Sequence, residues 1–245
     1  MKKHPISIRP FGVHAVLIEW PEKVEEAILN DILSFIAHLR QNCLKEGNWE
    51  LVPAYNSLTL ILRYDTINFD TFKVQLEVWY AEKKDVRALQ NYLWRFPVCY
   101  DDSFGIDLEE VAQKLNLSVA SLIEKHTENV YTVYGIGFLP GFMYLGGLPK
   151  DLEIPRRAAP RAKVLKGAVG LAGKQTGIYP QESPGGWNIL GNSTVPIFDP
   201  KKDTPCLVKV GDKVQFYSIS RAEYDLHKIE AEVGIYQMEK IKIDA

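Results

Sequence analysis

Cysteine is scarce in this 245-residue chain: Cys43, Cys99 and Cys206 are far apart and odd in number. No Cys-x-x-Cys pair occurs, which excludes the common zinc and dithiol motifs and leaves reduced, mostly buried thiols. The five histidines (His4, His14, His38, His126 and His227) are equally scattered, without a His-Glu-x-x-His, so no metal site is expected. An excess of either charge is also missing. With 29 Lys and Arg against 31 Asp and Glu, the net charge is −2, which argues against nucleic acid or an anionic membrane as the main partner. No run approaches the roughly 18 uninterrupted apolar residues of a membrane span. The opening Met-Lys-Lys-His-Pro is followed by no apolar stretch, so no secretory leader is expected and the chain reads as cytoplasmic. Long disorder is excluded by a content of 46% apolar and 24% charged residues.

Two patterns divide what is there. Residues 1–90 alternate strand and helix signals. Segments 6–9 and 13–20 read as strands, and a helix after Pro21 carries Ile28, Ile32, Phe35, Leu39 and Cys43 on one face. Its acidic first turns, basic last turn and following Gly47 suit the helix dipole and a helix stop. Strands 49–55 and 58–64 follow, with Asn56-Ser57 as the expected hairpin turn, and then a helix over 70–83 with Phe72, Leu76, Trp79 and Tyr80 inward. Together with a closing strand these elements predict an α+β domain of ferredoxin-like type.

In residues 91–245 the pattern changes. A strand over 93–100, a helix over 108–115, a helix capped by Ser118 and a strand over 130–137 are expected. From Pro140 to Pro196 a Gly or Pro recurs every few residues, interleaved with Tyr, Phe, Trp, Ile and Leu. That texture predicts an ordered β domain of short strands, a compact barrel or sandwich. Strands at 206–210 and 214–218, then a short helix and a last strand, close the chain.

Two motifs are near-misses. Ala168-Val-Gly-Leu-Ala-Gly-Lys-Gln175 resembles a phosphate-binding loop, yet it has Ala for the first Gly and Gln for the Ser or Thr that would hold magnesium. Gly135-Ile-Gly-Phe-Leu-Pro-Gly141 is one residue too long for a dinucleotide fingerprint, and Pro140 sits where a helix would start. Neither supports a nucleotide site alone.

The informative block is 134–200. It holds Gly137-Phe-Leu-Pro-Gly-Phe-Met-Tyr-Leu-Gly-Gly-Leu-Pro149, Ile154-Pro-Arg-Arg-Ala-Ala-Pro-Arg161, Gly173-Lys-Gln-Thr-Gly-Ile-Tyr-Pro180, Ser183-Pro-Gly-Gly-Trp-Asn-Ile-Leu-Gly191 and Phe198-Asp-Pro200. Between residues 150 and 174 lie seven cations (Lys150, Arg156, Arg157, Arg161, Lys163, Lys166 and Lys174) and two acids, Asp151 and Glu153. A local excess of positive charge in a weakly acidic chain points to an anion site, and arginine grips carboxylate or phosphate with paired hydrogen bonds.

These residues resemble the family of 5-oxoprolinase B subunits, also known by the older names of allophanate hydrolase subunit 1 and Kip-type sporulation-kinase inhibitor. The resemblance extends more loosely from Pro97 through Phe104-Gly-Ile-Asp-Leu108 to His126. It implies a ferredoxin-like N-terminal domain, a cyclophilin-like β-barrel, and 5-oxoprolinase partner chains of the C type and the A type. Together such a set opens the lactam 5-oxoproline to L-glutamate with ATP and its Mg counter-ion. Two departures stand out: Gly191-Asn192-Ser193 replaces the family's more usual Gly-Arg-Thr, and Tyr100-Asp-Asp-Ser103 replaces a glycine-rich turn.

A lactam amide is a poor electrophile, and its ring recloses easily; phosphorylating the amide oxygen creates a leaving group. Such chemistry calls for cations around the phosphate, a fork for the substrate carboxylate and donors for the developing oxyanion. On this reading Arg156 and Arg161 form the anion clamp, Lys166 and Lys174 add charge, and Gln175 and Tyr179 supply neutral donors. Ser183, Gly185 and Gly186 would form a turn lined with N–H groups, with Trp187 as a stacking wall or a core aromatic. His126 is a candidate base or a helix C-terminal residue, and Asp199 orients an arginine or simply makes a turn. Two other roles stay open: regulation of a histidine kinase, and allophanate hydrolysis. The last lacks the Ser-Ser-Lys surroundings of an amidase and a biotin-attachment Met-Lys-Met.

Overall fold

The computed structural model describes residues 4–45, 47–83 and 91–243. The chain divides into two compact units, one within residues 1–90 and the other from Asn91 to Ile243.

The first unit carries β1 (Ser7–Pro10), β2 (Ala15–Glu19), α1 (Glu26–His38), β3 (Trp49–Ala54), β4 (Ser57–Leu62) and α2 (Phe69–Glu82). Its strands run β1-β2-β4-β3, every neighbouring pair antiparallel. The place beside β2 belongs to the N-terminal β1; residues 84–90, where a strand closing the sheet after α2 is expected, lie outside the described residues. The β3–β4 turn is Tyr55-Asn56, one residue earlier than predicted, with Ala54 paired to Ser57. Tyr55 takes the positive φ of 53°. Asn56 is held instead by Trp20: its amide donates to the Trp20 carbonyl and its carbonyl accepts the Trp20 N–H. α1 buries Ile28, Ile32 and Phe35, and α2 buries Phe72, Leu76 and Tyr80 behind an Asn68 cap.

Between the two helices sits a closed polar knot. Asp31 on α1, 4% exposed, accepts from Trp20 Nε1 at 2.7 Å, from the Tyr80 hydroxyl at 2.5 Å and from the buried Lys83 ammonium. Burial pushes the Asp31 carboxyl up, but the bonds from Lys83, Tyr80 and Trp20 outweigh it and leave it below its ordinary range.

The second unit contains β5 (Asn91–Cys99), α3 (Leu108–Lys114), α4 (Val119–Glu128), β6 (Val130–Ile136), β7 (Met143–Gly146), β8 (Arg161–Val164), β9 (Ala168–Ala172) and β10 (Gln175–Ile178). β11 (Ser183–Gly185), β12 (Asn188–Asn192), β13 (Lys213–Ile219), α5 (Arg221–Glu232) and β14 (Glu239–Ile243) complete it. Seven strands follow the path β6-β13-β5-β12-β9-β10-β7, and pairing of β7 with β6 closes the barrel. The β5–β13 pair is parallel; the other pairs around the ring are antiparallel. Phe96, Val98, Tyr131, Val133, Leu145, Val169, Leu171, Leu190 and Phe216 fill the interior. Ser118 caps α4 through Ser121 N–H as expected.

Segment 206–210 is not a strand. Cys206 makes a single bridge to Phe198, and the chain then bends so that Lys209 N–H reaches the Asp212 carboxylate. That buried carboxylate also takes the Tyr92 N–H and the Trp94 indole N–H, stapling the start of β5 beside β13. Among the described residues no helix is long and apolar enough to cross a membrane.

Candidate functional site

The arginine-rich stretch after the 3₁₀ turn Lys150–Leu152 forms one side of a cleft of about 570 Å³. Glu110 and Lys114 of α3, residues 154–159 and Asn188 of β12 line it. Pro155 and Pro160 keep this stretch from joining the barrel ladder, so its cations are presented at the surface. Asn188 anchors it, donating to the carbonyls of Pro155 and Leu171.

The three arginines differ. Arg156 is exposed and lines the cleft; it makes no ion pair among the described residues. Arg157 donates to Asp107 at 2.8 Å and to Glu110 at 3.2 Å, and these acids hold its guanidinium above its ordinary range, Glu110 contributing most. Arg161, on β8, donates from one nitrogen to the same Asp107 oxygen at 2.5 Å, while its second nitrogen, Nη1, is buried without a partner among the described residues. Asp107 is therefore the hub. It is 2% exposed, and its other oxygen accepts the Ile189 N–H at 2.7 Å.

Sequence reasoning does not single out Asp107. Its signal, an aspartate directly before an apolar-periodic helix, reads as an N-cap. Although it holds the N-cap position of α3, its side chain does not cap that helix, because β12 arrives 82 residues later to take the carboxylate.

The other sequence-predicted residues are dispersed. Ser183 and Gly185 lie in β11, paired with β8, and the Gly186 carbonyl accepts the Arg157 N–H. This segment is thus a short ribbon rather than an open turn of free N–H groups. Gly185 is required there, since a Cβ would collide with the Tyr179 hydroxyl. Tyr179 and Trp187 are buried in a second core with Phe142, whose ring meets both edge-on at 5.4 Å. Burial raises the Tyr179 phenol above its ordinary value. Lys174 sits in the exposed turn between β9 and β10, Gln175 begins β10, and Lys166 is exposed before β9. Asp199 makes a local turn, accepting the Lys201 N–H. The loop-like near-motif at 168–175 is the β9–β10 hairpin, a ladder rather than a phosphate cradle.

His126 is fully buried in the barrel, stacked on Phe216 at 4.6 Å. Its hydrogen bonds run one way. Thr176 donates to the Gly170 carbonyl and so accepts from His126 Nε2–H at 2.9 Å; Nδ1 then accepts from the Tyr100 hydroxyl at 2.6 Å. Burial lowers the imidazole pKa to about 3, so the ring is neutral and both its nitrogens are engaged inside the barrel. Among the described residues no group of three or more His, Cys, Asp or Glu is placed to hold a metal ion.

The comparisons bear on the fold and the family. Residues 6–208 match the family model described as carboxyltransferase domain, subdomain C and D. The chain is 35% identical over 236 residues to the 5-oxoprolinase B subunit of Bacillus subtilis (strain 168), covering 91% of this chain and 97% of the relative. It belongs to the family of 5-oxoprolinase B subunits. The crystal structure of TTHA0988 superposes with a TM-score of 0.72 at 36% identity, over 85% of this chain and 40% of that one. The Kluyveromyces lactis urea amidolyase structure shares the fold alone, with a TM-score of 0.79 at 18% identity over 97% of this chain and 16% of that one.

Proposed function

We propose that this chain is the B subunit of an ATP-dependent 5-oxoprolinase, acting with A-type and C-type partner chains to open 5-oxoproline to L-glutamate. The observation that carries this reading is the likeness to the Bacillus subtilis relative along almost the whole of both chains. The cleft supports it chemically. Arg156, which makes no ion pair among the described residues, lines the cleft and offers its guanidinium to an incoming anion; Arg161, outside the lining, is fixed by the Asp107 carboxylate that also holds the cleft's Arg157. Together they suit the phosphate transferred from ATP, whose Mg counter-ion the complex holds; Lys166 and Lys174 add distant charge and Gln175 a neutral donor. At the level of fold, the same reading takes the first unit as a ferredoxin-like variant with β1 in the place of the last strand, and the barrel as cyclophilin-like.

ADP release dependent on 5-oxoproline, measured with all three chains, tests it. Activity should vanish when this chain is omitted and fall about 100-fold in Arg161→Ala. Normal activity in the variant removes the clamp and leaves the chain with a structural role. Absence of ADP release in every mixture overturns the enzymatic reading and directs attention to inhibition of histidine-kinase autophosphorylation.

A further inference from the structure

The arginine cleft carries an anion of its own. Among the side chains that line it, Lys114, Arg156 and Arg157 are cationic and Glu110 alone is acidic. One Glu110 oxygen accepts from Lys114 Nζ at 2.5 Å and the other from Arg157 Nη1 at 3.2 Å. A single carboxylate thus bridges two of the three cations, as a bound oxyanion would. The bonds from Lys114 and then Arg157 hold its carboxyl below the ordinary range.

The two acids on Arg157 are not equivalent. Asp107 is enclosed, its side chain 2% exposed, and it also holds Arg161 and the Ile189 N–H. Its release would strand buried polar groups, which is costly. Glu110 is 45% exposed and its Lys114 partner 55%. Exposed ion pairs of this kind contribute little, so the carboxylate can turn to water at small cost. Arg157 would not follow it. The Arg157 N–H is bound to the Gly186 carbonyl, and Asp107 keeps its guanidinium in place. Ala158 and Ala159, next in the lining, add little bulk.

We propose that Glu110 is a stand-in for the ligand: a tetrahedral oxyanion displaces it and takes over Lys114 and Arg157, with Arg156 as the third cation. This rests on the reading of the cleft as an anion site, and adds to that site two binding residues and a built-in competitor. Entry of the ligand exchanges one set of ion pairs for another, so affinity stays below what three unopposed cations would give. A free monocarboxylate offers only the group that Glu110 already supplies, and Glu110 has the advantage of its tether. Phosphate brings more charge and more oxygens, enough to engage all three cations.

The test is calorimetric titration of the full chain with inorganic phosphate, and separately with acetate, at fixed ionic strength. Arg156→Ala should weaken phosphate binding about tenfold, which places the ion in this cleft. Glu110→Gln should tighten it about tenfold at level Tm, because the competitor has gone. Glu109→Gln removes the same charge one position away, outside the lining, and should change affinity less than about twofold. Lys114→Met should weaken binding more in the Glu110→Gln background than in the wild type, where the same lysine also holds the competitor. Acetate should bind the wild type at least about tenfold more weakly than phosphate. Unchanged or weaker phosphate binding in Glu110→Gln makes Glu110 a support for Arg157 and overturns the proposal; the anion site survives if Arg156→Ala still weakens binding. Equal tightening in Glu109→Gln, equal losses from Lys114→Met in both backgrounds, or acetate binding as tight as phosphate overturns the displacement. Absence of phosphate binding, or binding indifferent to Arg156→Ala, overturns the anion site and the proposal with it.

Discussion

Two buried aspartates, one in each unit, have opposite surroundings. Asp31 and Asp107 are 4% and 2% exposed, and each accepts at least one strong charged hydrogen bond. Around Asp31 the partners are themselves enclosed: the side chain of Lys83 is 4% exposed, and the Trp20 and Tyr80 donors are buried. Around Asp107 the cations are a quarter open, Arg157 at 27% and Arg161 at 25%. A lysine ammonium directed inward has nothing left to offer outside. An arginine, with five donors in a plane, can be held by a carboxylate at one edge and still present another edge to a ligand. The first arrangement locks two helices together; the second holds two part-exposed guanidinium groups on a rigid base.

The largest effect that separates the two should come from Asp31→Ala. It strands a buried ammonium and should cost about 3–5 kcal/mol in urea unfolding. Asp107→Ala should cost less, about 2 kcal/mol, because its arginines can turn to water and chiefly the Ile189 N–H loses its partner. Equal losses in the two variants would remove the distinction between closed and open sites.

Acid sensitivity sharpens the comparison further. The folded His126 pKa, about 3, lies below the unfolded value near 6.5, so the unfolded chain takes up the proton first. Stability is therefore complete above about pH 6.5 and is lost progressively below it, by about 2 kcal/mol at pH 5. Asp31, also depressed, begins to lose its contribution only as the pH falls below about 4. Unfolding measured from pH 7 to 5 in His126→Gln should lose this slope, whereas Asp31→Asn should keep it. The smallest structural effect belongs to Arg156→Ala, expected within about 0.5 kcal/mol of wild type by the same unfolding measurement. A larger change would mean that Arg156 is bound into the fold as Arg157 and Arg161 are.

What could be read from sequence was local. The one-face spacing of Ile28, Ile32 and Phe35 and the Ser118 cap depend on neighbours three or four residues away, and both appear in the structure. The barrel expectation also held, because dense Gly and Pro among aromatics constrain strand length wherever the strands go. Segment 206–210 misled because its apolar residues pack without a ladder: the Asp212 carboxylate gathers the Lys209, Tyr92 and Trp94 N–H groups and turns the chain. The arginines were visible as charge, but their division into free and held was not. That division depends on Asp107, whose partners at 157, 161 and 189 are distant in sequence.

The Asp212 staple has a consequence for biosynthesis. It joins residues 120 positions apart, and β5 is flanked by β13 on one edge and by β14 and β12 on the other, all made long after it. At about 5–20 residues per second, the first strand of the barrel waits on the order of ten seconds for its neighbours. During that interval it leaves the ribosome with an exposed apolar edge. The chain is therefore expected to depend on chaperone protection during synthesis more than its size alone suggests.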